Sequence, residues 1–254
     1  MNVLKKIIED KKPEIPTKLS KTGLTKTEKN VVEALKKTGP GLKLIAELKR
    51  VSPSLGVLNS GMTVEAAVLM YEPYAGALSI LTEKNHFGGS LEDLKLASRL
   101  TRLPLLRKDF LTDPIQVAEA RLYGADLYLL IVAALEKNQL AEMIEAGREF
   151  NMPALVEVHN QAELETALDL DVQILGINNR NLVDLSIDLE TTNNLVKVIP
   201  PGLRQNLVLV SESGLKTPGD LRRVEDLVDA VLMGTAFMEN PEPSTLLRTL
   251  FGKR

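Results

Sequence analysis

Eight short apolar runs punctuate the chain: KLIAEL (43–48), ALSIL (77–81), LPLLRKDF (103–110), DLYLLIV (126–132), ALVEV (154–158), ILGIN (174–178), LVLVSE (207–212) and AVLMG (230–234). Each is nearly continuous in hydrophobic residues, the pattern of a strand covered on both faces. They recur at intervals of roughly 20 to 35 residues, and every gap holds a helix-like alternation of apolar and polar positions. Eight βα units at this spacing predict a closed (β/α)8 TIM barrel in preference to an open doubly wound sheet, and 254 residues suit one such barrel.

Helix starts fall just after strand candidates. Ser90 precedes Asp93 by three, Thr112-Asp113 leads into Pro114, and Thr217 leads into Pro218; each is an N-cap arrangement. Residues 1–40 precede the first run and include an amphipathic stretch, KTEKNVVEALKK (26–37). The expected layout is therefore a single domain over 1–254, with an N-terminal helical extension (1–40) packed on a barrel (41–254).

Composition narrows the function. A hydrophobic content of 44% supports a sizeable core. A net charge of −3, a pI near 5.6 and only 4% aromatic residues argue against nucleic-acid binding. Ten lysines among residues 1–40 read as a solvated helical face. The absence of cysteine removes disulfides, thiolate metal sites and cysteine nucleophiles, and fits a cytoplasmic protein. No apolar run reaches membrane-spanning length, so no membrane partner is expected.

In a barrel of this kind the chemistry lies at the C-terminal strand ends. Here those ends are rich in polar groups: Glu47 and Lys49 after the first run, Lys108 and Asp109 in the third, Glu157 in the fifth, Asn178 and Arg180 at the sixth, and Glu212 and Ser213 at the seventh. Ile45, Glu47 and Lys49 share one strand face. Taken singly, Glu47, Lys49, Lys108 and Glu157 also fit a buried ion-pair network. Burying several ions costs several kcal/mol each unless they are paired, so a cluster points to a site where a charged ligand enters. Asp109 and Glu83 read as loop-anchoring carboxylates. His86 and His159 lack a carboxylate-rich metal pattern, and no metal is expected.

The last two runs add a different signal. SESGLKTPGD and LMGTAF place Gly214 and Gly234-Thr235 just past a strand, where bare backbone N–H groups can approach an anion. Barrels often hold a phosphate there, so a phosphorylated small molecule is the expected substrate.

The motifs ELKRVSPS (47–54), ILTEKNHFGGS (80–90), LLRKDF (105–110), GADLYLLIVAAL (124–135), LVEVHN (155–160), GINNRNL (176–182), SESG (211–214) and LMGTAF (232–237) together resemble the indole-3-glycerol-phosphate synthase family, in order, from about residue 40 onward. The resemblance implies a carboxy-lyase of tryptophan biosynthesis. It would convert 1-(2-carboxyphenylamino)-1-deoxyribulose 5-phosphate to indole-3-glycerol phosphate with loss of carbon dioxide and water, using no organic cofactor or metal. By the same resemblance Lys108 is the general acid of ring closure, with Glu47 holding it charged. Lys49 grips the substrate's anionic groups, and Glu157 acts in dehydration. Asn178, Arg180, Glu212 and Ser213 would line the substrate, Ser52, Gly214, Gly234 and Thr235 the phosphate side, and Phe87, Phe110 and Leu129 the anthranilate ring. A monomer is implied, with association to other tryptophan-pathway enzymes as a further expectation.

Two rivals share part of this pattern. Phosphoribosylanthranilate isomerase has the phosphate end, but that family is expected to carry a cysteine after its first strand, and this chain has none. A non-catalytic phosphate-binding barrel has no use for both Lys108 and Glu157.

Overall fold

The computed structural model describes residues 3–252; the outermost residues of the domain expected over 1–254 lie outside the described residues. In chain order the strands are β1 (Lys43–Leu48), β2 (Val51–Ser52), β3 (Gly56–Val57), β4 (Ala77–Leu81), β5 (Leu105–Lys108), β6 (Leu127–Ile131), β7 (Ala154–Val158), β8 (Ile174–Asn178), β9 (Val208–Glu212) and β10 (Ala230–Met233). β1 and β4–β10 form one closed parallel barrel, which β10 completes by pairing with β1 from Lys43↔Ala230 to Ala46↔Met233. β2 and β3 make a separate antiparallel hairpin directly after β1. This is the TIM-barrel architecture. Among the described residues, no helix is long and apolar enough to cross a membrane.

Strand alternation sorts the core into two shells. Leu44, Ala46, Leu78, Ile80, Leu130 and Val156 pack outward against the helices. Ile45, Ala77, Leu106, Leu129, Leu155, Val210 and Leu232 fill the barrel interior. Following the inward register toward the strand ends, apolar side chains give way to ionic ones. Ile45 is succeeded by Glu47, Leu106 by Lys108, Leu155 by Glu157 and Val210 by Glu212. The top of the barrel is therefore built by the same alternation that builds its dry interior.

All three expected N-caps form. The side chains of Ser90, Asp113 and Thr217 accept from backbone N–H groups in the first turn of their helices, and Asp113 and Thr217 complete capping boxes with Gln116 and Asp220. The N-terminal segment departs from expectation. KTEKNVVEALKK yields only the short helix α2 (Val31–Leu35), capped by Asn30. Upstream of it, Thr27 and Lys29 are drawn out of helical register by Asp126, to which they bond at 2.5 and 2.8 Å. The longer helix is α1 (Val3–Lys11), whose Leu4 and Ile7 are buried.

Candidate active site

At the C-terminal ends of the strands lies a cavity of about 700 Å³. Its charged floor centres on Lys108, whose Nζ donates to Glu212 Oε2 at 3.0 Å and Glu157 Oε2 at 3.3 Å. Glu157 Oε1 also accepts from Asn178 Nδ2 at 3.1 Å. Across the floor, Lys49 Nζ pairs with Glu47 Oε1 at 3.1 Å, and Ser79 Oγ donates to Glu47 Oε2 at 3.2 Å. Glu47, expected to hold Lys108 charged, favours that charge through its field, while its direct partner is Lys49.

The electrostatics follow from who shares whom. Burial works against the Lys108 charge, but Glu212, Glu157 and Glu47 outweigh it and hold its pKa above the ordinary lysine value. Burial likewise disfavours an ionised Glu157, yet Lys108, His159 and Asn178 hold it below the carboxylate range. Among the described residues, the Glu212 carboxyl has only Lys108 as a partner, and its Oε1 is buried without one. Burial, reinforced by the charge on Glu157 and opposed by Lys108, pushes Glu212 up to about 7. Of the two carboxyls on Lys108, Glu212 is thus the one that takes a proton near neutrality. Gly176 on the adjacent strand makes room for it, since a Cβ there would collide with Oε1.

Phe87 and Phe110 face each other across the cavity wall, ring centroids 5.9 Å apart, and Leu129 lines the same space. The two phenylalanine loops are tied down by the carboxylates read as anchors. Glu83 accepts from the backbone N–H groups of Asn85, His86 and Phe87, and Asp109 accepts from that of Phe110. Opposite the ionic floor, Ser213 and Gly214 take positive φ of 67° and 83°. A left-handed serine is strained by about 1–3 kcal/mol and persists where the surroundings fix it. Gly214 has no alternative, because a Cβ would come within 2.5 Å of Ile187 Cγ2. Gly234 and Thr235 complete this side, and Arg180 reaches in from the loop after β8, its Nη1 donating to Leu185 O at 2.9 Å. Ser52, in the β2–β3 hairpin, places its Oγ 3.1 Å from that of Ser54.

Every residue singled out from the sequence as catalytic or substrate-binding therefore lines one cavity. The model of the family described as indole-3-glycerol phosphate synthase matches residues 2–250. The chain belongs to the indole-3-glycerol phosphate synthase family. Indole-3-glycerol phosphate synthase of Dehalococcoides mccartyi is 41% identical, covering 98% of this chain and 99% of that protein. The synthases of Lachnospira eligens and Acinetobacter baumannii are 39% and 38% identical, over 96% and 99% of this chain and 95% and 96% of theirs. Among solved structures, 3-hexulose-6-phosphate synthase of Salmonella typhimurium superposes with a TM-score of 0.65 at 13% identity, covering 82% of this chain and 96% of that one. The tryptophan synthase complex of Pyrococcus furiosus gives 0.61 at 15%, covering 83% and 98%. Likeness at that identity speaks for the barrel alone.

Several lining residues of this family member were not singled out from the sequence. Leu4 and Ile7 of α1, and Leu182 and Ile187 of the loop after β8, supply apolar wall. Lys11 of α1 is buried and pairs with Asp109 at 2.9 Å, one residue from Lys108. The apolar spacing Leu4, Ile7, Ile8 was a visible helical signal; its destination, across the mouth of a barrel that starts some forty residues later, was not.

Proposed function

We propose that this cavity closes the indole ring of 1-(2-carboxyphenylamino)-1-deoxyribulose 5-phosphate, making the chain an indole-3-glycerol-phosphate synthase, a carboxy-lyase of tryptophan biosynthesis. The observation that carries the reading is the Lys108 ammonium, held charged between Glu157 and Glu212 at the end of a dry barrel. As the ring carbon bearing the carboxylate attacks the ribulose carbonyl, negative charge develops on the carbonyl oxygen. Lys108 delivers the proton that neutralises it. Loss of carbon dioxide restores the aromatic ring; the new hydroxyl then takes a proton from the Lys49 ammonium and leaves as water while a proton is removed from the intermediate. Glu157, kept ionised, is the acceptor for that proton. Glu212, poised near neutrality, re-protonates Lys108 for the next turnover.

The remaining roles follow position and chemistry. Lys49 holds the anthranilate carboxylate, with Glu47 fixing its ammonium. Asn178 orients Glu157. Ser213, Gly214, Gly234, Thr235, Ser52 and Arg180 receive the phosphate end, while Phe87, Phe110 and Leu129 pack on the aromatic ring. Residues 3–40 form a cap whose α1 seals one side of the cavity. The proposal extends to a cytoplasmic monomer, which molar mass by light scattering and cell fractionation check. Incubating the protein with the carboxyphenylamino substrate should produce the fluorescence of an indole; a folded protein giving no such signal overturns the reading.

A further inference from the structure

His159 and Glu163 have no part in that scheme, yet they are built against it. His159 directly follows β7, and its side chain is only 8% exposed. On one side its ring Nδ1 lies 2.9 Å from Glu163 Oε2, which also accepts the His159 backbone N–H at 2.8 Å. Glu163 is itself fixed, because its Oε1 accepts from Asn160 Nδ2 at 2.6 Å and its backbone N–H donates to Asn160 Oδ1. On the other side Nε2 lies 3.1 Å from Glu157 Oε1, buried and off the line of a straight hydrogen bond.

A neutral imidazole has one N–H and one lone pair. In either tautomer, a lone pair would then face a carboxylate oxygen at about 3 Å, two acceptors with no proton between them. Protonating Glu157 would relieve the contact on its side, but Lys108 and Asn178 both favour the ionised carboxylate. The proton therefore belongs on the ring. We infer that His159, anchored by Glu163, is a positioning residue: a buried imidazolium that holds Glu157 as a carboxylate facing Lys108. The inference rests on the reading of Glu157 as the ionised group of the dehydration step. Among the described residues, the other charges that face Glu157 are Lys108 from β5 and Glu212 from β9; those that face His159 are Glu157 and Glu163. Burial opposes charge on the ring, but the two carboxylates together push its pKa up to about 10.

The chain contains only two histidines, so His86→Gln leaves a single imidazole for titration by NMR. His159 should remain an imidazolium at pH 8, well above the ordinary midpoint of about 6.5. A ring that is neutral at pH 8 overturns the inference. In the same background Glu157→Gln should lower the midpoint by about one pH unit or more, the size of a nearby opposite charge; an unmoved midpoint also overturns it. In turnover, His159→Gln should cut kcat about tenfold or more, because Glu157 loses the partner that fixes its orientation, with KM within roughly twofold. Native kcat in a folded His159→Gln protein removes the positioning role. If instead Glu157→Gln retains near-native kcat, the assignment of Glu157 fails, while the NMR titration still decides the charge on His159.

Discussion

Replacing Glu212 with glutamine should stabilise the protein at alkaline pH while reducing its activity. The carboxyl is buried, shares Lys108 with the better-supported Glu157, and leaves Oε1 unpartnered. Its pKa accordingly rises from the ordinary 4.5 to about 7. A folded-state pKa above the unfolded one means that the native protein binds the proton more tightly. The associated stability is complete below about pH 4.5 and is lost as pH climbs through about 7. At about 1.4 kcal/mol per pKa unit, the loss amounts to about 3 kcal/mol in order of magnitude. Glutamine is a neutral isostere at every pH and escapes this loss. Thermal melts of the two proteins should therefore nearly coincide at pH 5 and separate at pH 8.5, with the variant melting several degrees higher, at about 2–4 °C per kcal/mol for a chain of this size. Glutamine cannot exchange a proton with Lys108, so kcat should fall as stability rises, the usual trade at a strained site. A variant that is less stable at pH 8.5, or whose melting difference is the same at both pH values, would show that Glu212 is not the carboxyl that takes the proton.

Lys108→Met should lower kcat by about 10²- to 10⁴-fold with a much smaller change in KM, read by indole fluorescence. It also leaves Glu157 and Glu212 facing each other without their shared cation, so its melting temperature should drop more at pH 8.5 than at pH 5. Gly234→Ala should impair kcat as well as KM, because its Cβ would lie 2.8 Å from Glu47 Cβ and 3.0 Å from Oε1; a change confined to KM would reduce Gly234 to a phosphate contact. Lys11→Met should destabilise the fold toward, but not reaching, the roughly 3–5 kcal/mol of a broken buried pair, since Arg107 still serves Asp109 at 3.3 Å. Urea melts unchanged within about 0.5 kcal/mol would show that α1 docks without that pair.

The barrel was legible because the signal repeats eight times and a buried parallel strand has little freedom in what it can contain. The candidate site was legible for the same reason: once strand ends are located, a charge in the inward register, such as Glu157 two residues past Leu155, has only one place to point. What escaped were pairings that depend on distances around the ring. Glu47 and Lys108 both face inward, but on non-adjacent strands, and nothing in their spacing says that Glu47 reaches Lys49 first. Lys11 looked like one more surface lysine, since helical periodicity does not reveal a buried acid a hundred residues away. The helix expected over 26–37 was shortened by Asp126, a tertiary partner that local propensity does not register.

Closure of the barrel also imposes an order on synthesis. One edge of β1, from Lys43 to Ala46, finds its hydrogen-bonding partner only in Ala230–Met233. At ~5–20 residues per second, a ribosome needs on the order of ten to forty seconds to cover that interval. Throughout it the nascent sheet has an open, apolar edge of the kind that templates aggregation. The last strand to emerge is the one that removes it, so anything that stalls translation within the final βα unit should expose that edge for longer.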